Sequence, residues 1–262
     1  MGDLAFEKWE GLGNDFIVVE HQPSIDEIRR LCDRRRGVGA DGVLVVEREA
    51  DRAPRMIVFN ADGSRPEMCG NGLRCVAAYL VSPATSRPLI VQTDAGERKC
   101  TVDRGTDEAE VVVDMGSVRF EAEVTGEIDG RPARFTSANI GNPHAVTFEP
   151  FEASAYERVG SALERSIPGG INVEFVRAQP GLFDVVVWER GVGFTQACGT
   201  GACAVAAVAC RLDRARYGDP LRVRLPGGEL SIEVERGPTP DVTGRILMRG
   251  PARRAFVGSW RG

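Results

Sequence analysis

The sequence contains only two lysines, Lys8 and Lys99, among 33 basic residues. A pyridoxal-phosphate enzyme needs a lysine for its Schiff base, and neither lysine lies in a recognisable phosphate-binding segment. No Gly-x-Gly-x-x-Gly motif follows a predicted strand, so a nicotinamide or flavin site has no support. We therefore expect a protein that works without a cofactor.

Long apolar runs and dense basic blocks are also lacking. No apolar run reaches the ~18 residues of a membrane span, and residues 1–4 lack the charged-then-apolar pattern of a secretory signal. The longest basic run, Arg34-Arg35-Arg36, is typical of a solvated loop, in a chain with a net charge of −5. We expect neither a membrane nor a nucleic-acid partner.

The cysteine content indicates a reducing compartment. Seven cysteines are an odd number, and a chain of 262 residues can bury a core without disulfides. Free thiols in the cytoplasm are the expectation.

Two of the cysteines begin similar segments, Met68–Cys75 and Ala197–Cys203. In each, a cysteine precedes Gly-x-Gly and then an apolar run that contains alanine. This pattern predicts a turn that leads into a buried helix, with the cysteine at the helix N-terminus. Backbone N–H groups there stabilise anions, and a cysteine at such a place can have a pKa below the usual ~8.5.

The cysteine segments belong to a longer internal repeat. Five landmarks recur in the same order at offsets that drift from 128 to 134 residues, which indicates a tandem duplication. Their pairs are Asn14 with Asn142, Asn60 with Glu189, Cys69 with Cys198, Pro88 with Pro220, and Gly116 with Gly250. Each half is rich in predicted strands with one dominant buried helix. We expect two similar α+β domains, residues 1–116 and 117–249, with a tail, 250–262, that returns to the first.

Paired thiols permit several kinds of chemistry. A cysteine hydrolase needs a histidine and an oxyanion hole, and His21 and His144 are the only histidines. Zinc is a second option, although the cysteine spacings lie outside or at the limit of the usual ones. A disulfide between Cys69 and Cys198 is a third. The fourth is proton transfer, in which two thiols flank one Cα and invert it without a cofactor.

Further motifs accompany the two cysteine segments in a fixed order: Gly11–Phe16, Gly39–Gly42, Asn60–Ser64, Gly141–His144 and Glu189–Gly191. With Met68–Cys75 and Ala197–Ala202, they resemble the diaminopimelate epimerase family over nearly the whole chain. The resemblance implies a cofactor-independent, two-base epimerase that interconverts LL-2,6- and meso-2,6-diaminopimelate. It also implies two pseudo-symmetric α/β domains, each a curled, mostly antiparallel sheet around a central helix, an active site in the interdomain cleft, and a homodimer.

The resemblance assigns roles to individual residues. Cys69 and Cys198 are the two bases, with His144 close to them, and no metal takes part. The remaining residues bind substrate: the backbone of Gly70, Asn71, Gly199 and Thr200 the reacting carboxylate, Glu189 the α-ammonium, and Asn14, Asn60, Asn142, Asn172 and Arg190 the distant end. An arginine suits this end because its guanidinium can hold a carboxylate with two hydrogen bonds.

Two alternatives remain open at this point. A related two-cysteine racemase of another amino acid, such as proline, would need no residues for a distal carboxylate. A non-catalytic binding protein would need neither cysteine. Phe194 stands where the family commonly has a polar residue, which leaves the shape of the pocket near Cys198 undetermined.

Overall fold

The structure, a computed structural model, describes residues 3–128, 131–150 and 152–261. Contacts divide the chain into two units, Met1–Val113 with Arg249–Gly262, and Asp114–Met248. The expected domains had boundaries at residues 116 and 249, and this assignment of domains stays a prediction. None of the described helices has the length and apolar character needed to cross a bilayer.

In the first unit, two helices connect strands of the sheet. The strands are β1 (Leu4–Gly11), β2 (Asn14–Val19), β3 (Gly42–Glu47), β4 (Arg55–Asn60), β5 (Thr85–Thr93), β6 (Gly96–Arg104) and β7 (Glu108–Gly116). The helices are α1 (Ile25–Cys32) and α2 (Gly70–Leu80). Helix α1 follows β2, and α2 follows β4.

The second unit has the same plan with short additions. Its strands are β8 (Arg119–Phe120), β9 (Val124–Ile128), β10 (Arg131–Asn139), β11 (Pro143–Thr147), β12 (Asn172–Gln179), β13 (Leu182–Glu189), β14 (Gly193–Phe194), β15 (Leu221–Leu225) and β16 (Gly228–Val234). Its helices are α3 (Tyr156–Ser166), preceded by a 3-10 turn at Ala153–Ala155, and α4 (Gly199–Arg211). The last strand, β17 (Ile246–Trp260), pairs with β1 in antiparallel register through its C-terminal part.

Strand pairing shows the duplication directly. In the first unit the order is antiparallel β1–β2, parallel β2–β3, antiparallel β3–β4, parallel β4–β5 and antiparallel β5–β6. The second unit repeats it with β10–β11, β11–β12, β12–β13, β13–β15 and β15–β16. Parallel strands need a crossover, and α1, α2, α3 and α4 supply the four crossovers. The mixed α+β class with mostly antiparallel pairing is confirmed.

Helices α2 and α4 lie at the centres of their units. Every residue of α4 from Gly201 to Cys210 is buried, and α2 is buried at nine of its eleven positions. A helix that is apolar on all sides must lie inside the protein. Cys32, Cys75, Cys100, Cys203 and Cys210 are buried, as expected of core residues.

The C-terminus of α2 is held by a buried arginine. The Arg104 guanidinium donates to the carbonyl oxygens of Ala78 and Val81, the second at 2.8 Å, and lies 4.9 Å from the Trp9 ring centroid. The Ala78 carbonyl otherwise accepts only the N–H of the C-cap residue, Val81, at 3.3 Å, so a cation here adds a hydrogen bond at the end of the helix and complements the helix dipole. The helix that begins at Cys69 is therefore anchored at its far end.

The two outer helices were not equally predictable. Ser24 and Glu27 predict the start of α1, and both hydrogen bonds of the capping box are present. Helix α3 was not expected: its N-cap, Ala155, makes no side-chain hydrogen bond, and Gly160 weakens its helical pattern. A Cβ at Gly160 would lie 2.7 Å from the Trp188 side chain, so the glycine makes room for that ring.

Candidate active site

Cys69 is the N-cap of α2. Its backbone is extended, with φ −138° and ψ 109°, and its sulfur accepts the N–H of Gly72 at 3.3 Å. Its carbonyl accepts the N–H of Leu73 at 2.8 Å. The sulfur takes the place of the oxygen that usually caps a helix, and the first two backbone N–H groups, at Gly70 and Asn71, point out of the same end. The predicted cysteine at a helix N-terminus is confirmed.

Cys198 caps α4 in the same way. Its φ and ψ are −122° and 107°, and its sulfur accepts the N–H of Gly201 at 3.4 Å. A second contact joins the sulfur to the Thr200 hydroxyl at 3.4 Å. Gly199 and Thr200 are the first residues of the helix, so their N–H groups point out beside the thiol, where an anion is stabilised.

The charges around Cys198 favour the neutral thiol. Burial raises the pKa of Cys198 well above its usual value, and the carboxylates of Glu189 and Glu174 raise it further. Hydrogen bonds from Thr200 and Gly201 oppose them. In this structure Cys198 is therefore placed to donate a proton rather than to accept one.

Glu189 lies at the end of β13 beside the same thiol. Its carboxylate accepts the Thr195 hydroxyl at 2.6 Å and makes a hydrogen bond with Cys198. Burial raises the pKa of Glu189, while the bonds to Thr195 and Cys198 lower it. A buried carboxylate gains most from a positive partner, which fits its expected role of holding an ammonium group.

In the first unit, amides surround the mouth of α2. The Asn71 amide donates to Asn14 Oδ1 at 2.6 Å, and the Asn14 amide donates to Asp41 Oδ2 at 3.1 Å. Asp41 also accepts the Asp15 N–H at 3.1 Å and bonds the Arg34 guanidinium at 2.7 Å. Two of the expected substrate-binding residues, Asn14 and Asn71, are thus joined by a direct hydrogen bond, and Asp41 fixes Asn14.

Asn60 lies at the end of β4 on an exposed turn. Its amide donates to the Ser64 hydroxyl at 2.9 Å, and the Asp62 carboxylate accepts from the same hydroxyl at 2.6 Å. Among the contacts that the structure describes, none joins Asn60 to the Asn14–Asn71 pair. Its assignment to substrate binding stays a prediction.

In the second unit, the equivalent amide belongs to a buried network. Asn142 donates to the Thr200 hydroxyl at 3.3 Å and accepts from Nε2 of His144 at 3.1 Å. The other ring nitrogen of His144 lies 2.6 Å from Glu174 Oε1. His144 is fully buried, so it is not the solvated turn residue that a lone histidine after Asn-Pro usually is.

No group of three or more His, Cys, Asp or Glu side chains in the described ranges is arranged to hold a metal ion. Cys75 and Cys198 are buried and form no disulfide in the described part of the chain. The geometry offers hydrogen-bond donors, thiols and carboxylates, which are the groups needed for proton transfer next to a carboxylate.

The diaminopimelate epimerase family model matches residues 6–121 and 136–255. The diaminopimelate epimerase of Desulforudis audaxviator is 42% identical to the chain, with 98% of this chain and 99% of the relative covered. That of Desulfitobacterium hafniense is 38% identical, with 97% of each covered. The chain belongs to the diaminopimelate epimerase family. Among solved structures, a probable proline racemase from Agrobacterium radiobacter superposes with a TM-score of 0.76 at 16% identity, covering 98% of this chain and 93% of that one.

The solved structure shares the fold, and the curated relatives share the family. A proline-type racemase is therefore not favoured, because the likeness to it is limited to the backbone arrangement. The expectation of an amino-acid epimerase is confirmed.

In this family member, Glu189 and Arg190 occupy an irregular corner of the backbone. Strand β13 ends at Glu189, and Gly191 and Gly193 have φ of 76° and 96°, values that favour glycine. The Arg190 side chain is exposed and donates to the Gly169 carbonyl at 3.0 Å. The turn frees Arg190 from the strict alternation of a strand, so it need not point opposite to Glu189.

The buried Asn172 side chain fixes the corner at Glu189 and Arg190 by hydrogen bonds. Its side-chain oxygen accepts the Arg190 N–H at 3.0 Å, and its amide donates to the Pro143 carbonyl at 2.9 Å. Both polar ends of the side chain are therefore bonded to the backbone in this structure. Its expected contact with substrate stays a prediction, and its observed contacts position Arg190.

Two residues were missed in the sequence analysis. Asp41 was quoted within a motif but given no role, although it holds Asn14. Glu174 was not considered at all. The available signal was a charged residue in the otherwise apolar run Val173–Val176, because a carboxylate is rarely buried without a partner.

Proposed function

We propose that Cys69 and Cys198 are the two bases of the family's reaction, the interconversion of LL-2,6- and meso-2,6-diaminopimelate. One thiolate removes the Cα proton, and the other thiol returns a proton to the opposite face. The observation that carries the proposal is that both cysteines cap helices with the same geometry, each beside outward-pointing N–H groups.

The obstacle to this reaction is the large difference in pKa between the Cα–H of the substrate and the thiol that must remove its proton. The Cα–H of an amino acid is a very weak acid, so the negative charge that develops on the carboxylate must be stabilised. Backbone N–H groups at a helix N-terminus are fixed in advance, and each well-placed donor contributes ~3–4 kcal/mol in a transition state. Gly70 and Asn71, with Gly199 and Thr200, supply these donors in the proposal.

Between the two bases, Cys198 is the better candidate for the resting acid. Burial and two nearby carboxylates raise the pKa of this thiol. Cys69, which is only half-buried, is then the second base of the proposal. In the reverse direction the two thiols exchange roles, because the proton is then removed from the opposite face of the Cα.

The remaining substrate contacts follow the chemistry of each group. Glu189 binds the α-ammonium, and Arg190 binds the distal carboxylate through a bidentate pair. Asn14, Asn60, Asn142 and Asn172 supply neutral donors and acceptors for the rest of the distal end. His144 stands next to the bases.

Hydrogen exchange in deuterated water tests the proposal. The wild-type protein should replace the Cα proton of LL- and meso-diaminopimelate with deuterium, while Cys69→Ala and Cys198→Ala should lose turnover by about 1000-fold, since each lacks one acid–base group. Cys100→Ala, at a buried core cysteine, is the matched control. If the wild-type protein binds substrate but does not exchange its Cα proton, the binding-protein alternative is favoured. Exchange at the wild-type rate in both variants would contradict the assignment of the bases.

A cytoplasmic homodimer completes the proposal. Thiols such as that of Cys198 persist in a reducing compartment. On the outer part of β17, Phe256 and Val257 are 49% and 62% exposed, an apolar contact that suits a second copy of the chain. Light scattering should give twice the chain mass, and Phe256→Ser should weaken the association. A monomer at micromolar concentration would contradict the dimer.

A further inference from the structure

Equivalent positions in the two units carry residues of opposite character. The parallel pairs β2–β3 and β11–β12 begin with Phe16 opposite Gly42 and with His144 opposite Asn172. His144 is therefore the counterpart of Phe16. Phe16 is apolar and buried, whereas His144 is polar and fully buried.

Two residues further along the second strand of each pair are Leu44 and Glu174. A second measurement supports their equivalence. A Cβ at Gly72 would lie 2.9 Å from Leu44 Cδ2, and a Cβ at Gly201 would lie 2.8 Å from Glu174 Oε1. Both side chains thus lie against the first turn of their helices, α2 and α4.

The fold does not need a carboxylate at this place. Leu44 and Glu174 are both 0% exposed. Burying a charge costs free energy unless it is paired and hydrogen-bonded, and the first unit fills the same position with an apolar side chain. A reason other than stability is required for Glu174.

Glu174 begins an unbroken series of polar contacts that ends at a catalytic thiol. Its Oε1 lies 2.6 Å from His144 Nδ1, and Nε2 of the ring lies 3.1 Å from Asn142 Oδ1. The Asn142 amide donates to the Thr200 hydroxyl at 3.3 Å, and this hydroxyl lies 3.4 Å from Cys198 Sγ. Each side chain is oriented by the one before it.

We propose that Glu174 is a positioning residue of the epimerisation, which orients His144 and through it the Asn142 and Thr200 side chains beside Cys198. This inference rests on the proposed role of Cys198. An ionised carboxylate only accepts hydrogen bonds, so the ring nitrogen that faces Glu174 carries a proton. The ring is then fixed with its other nitrogen towards Asn142.

The carboxylate acts on Cys198 by a second route as well. Glu174 from β12 and Glu189 from β13 both face the thiol and raise its pKa, while Thr200 and Gly201 at the start of α4 lower it. His144 from β11 lies between Glu174 and this group. Removing Glu174 therefore removes one of two charges that keep the thiol protonated.

Glu174→Leu tests the proposal, because leucine is the residue of the first unit at this position. The variant should fold with an unchanged or higher melting temperature, while kcat falls about 10- to 100-fold through loss of side-chain alignment. KM should change less than about threefold, since Glu174 is buried away from the substrate contacts. Glu174→Gln keeps an acceptor for His144 and should recover part of kcat.

Nuclear magnetic resonance of the imidazole groups gives an independent measurement. The sequence has two histidines, and His21 is exposed, so the resonances of His144 are readily assigned. The wild type should show a proton on Nδ1 that exchanges slowly with solvent. In Glu174→Leu this signal should be lost or averaged. Val173→Ala, at a buried apolar neighbour on the same strand, should lower the melting temperature but leave kcat within about twofold.

Several outcomes would overturn the inference. Wild-type kcat in a folded Glu174→Leu variant would do so, and so would a loss of kcat with unchanged His144 resonances. If Cys198→Ala retains Cα–H exchange, the proposed function itself fails. If Cys198→Ala loses exchange while Glu174→Leu turns over normally, only this inference fails.

Discussion

The two cysteine-capped helices share their geometry but not their surroundings. In α2 and α4 the sulfur accepts the third N–H of the helix at 3.3 and 3.4 Å. Around Cys69 the neighbouring groups are amides held by Asp41, whereas around Cys198 they include two buried carboxylates. Duplication copied the helix N-terminus, and later divergence changed the charges next to it. The two cysteines thus share a capping geometry but differ in the charges next to them.

The largest effect should come from a cation that only one unit has. Arg190 occupies the position of Ala61 in the repeat, and its side chain is exposed at the corner after β13. Arg190→Ala should lower kcat/KM for diaminopimelate by about 1000-fold, because the loss of a charged, bidentate partner costs 2–5 kcal/mol. Steady-state assays in both directions measure this.

The control for this change is Arg222→Ala, which removes an exposed ion pair with Glu229 in the same unit. It should stay within about twofold of wild type, since exposed ion pairs contribute little. Unchanged kinetics in Arg190→Ala would show that Arg190 does not bind the distal carboxylate of the substrate.

A smaller effect should appear when the charge next to Cys198 is removed. Glu189 is the counterpart of Asn60, so Glu189→Gln makes the second site more like the first. Burial still raises the pKa of Cys198, but one of the two carboxylates that add to it is gone. At a fixed pH near 8 more thiolate should form, and alkylation of Cys198 by iodoacetamide should become about 10-fold faster.

Mass spectrometry of the alkylated peptides separates Cys198 from Cys69 within the same sample. The rate at Cys69 should change less than the rate at Cys198 in Glu189→Gln, because Glu189 makes its hydrogen bond with Cys198. An equal acceleration at both cysteines would instead indicate a general loosening of the structure. No acceleration at Cys198 would contradict the electrostatic difference between the two sites.

The smallest effect concerns the ionic support of the first site. Asp15 pairs with Lys8 at 2.6 Å and with Arg34 at 2.7 Å. Burial raises the pKa of Asp15, but the two cations together outweigh it and lower the pKa to about 2. Because the folded-state pKa is the lower one, the stabilisation is present above the unfolded value near 4 and is lost as the pH falls towards 2.

Asp15→Asn should therefore lower the free energy of unfolding at pH 7 by about 1–3 kcal/mol. At pH 2 the variant and the wild type should differ little, because most of the charge-dependent stabilisation is already lost when the pH reaches the folded-state pKa of about 2. Urea unfolding at both values measures the difference. A constant difference across this range would mean that Asp15 acts through packing rather than through its charge.

Local signals explain the parts of the structure that were foreseen. The start of α1 follows from Ser24 and Glu27, three residues apart, and the starts of α2 and α4 follow from a cysteine before Gly-x-Gly. These features depend on neighbours in sequence, since a helix N-terminus is closed within one turn. Helix α3 was not predicted from the sequence because its stability comes from packing against the sheet, with Gly160 under Trp188.

The candidate site also contains some residues that local motifs identify and some contacts that they do not. Motifs identified Cys69, Cys198, Glu189 and Arg190, whose backbone turns have recognisable glycines. No motif could show that Asn172 would bond to the Arg190 backbone or that Glu174 would meet His144. Those contacts join different strands. Glu174 and His144, which are 30 positions apart, become neighbours only through the register of a parallel pair.

Periodicity, turn residues and the repeat were enough to indicate a duplicated α+β chain with a thiol at the mouth of each central helix. The tertiary structure was needed to decide which charges lie near each thiol. The reason is physical: capping and turn energies arise within a few residues, whereas the pKa of a buried group depends on every charge and every polar atom packed around it.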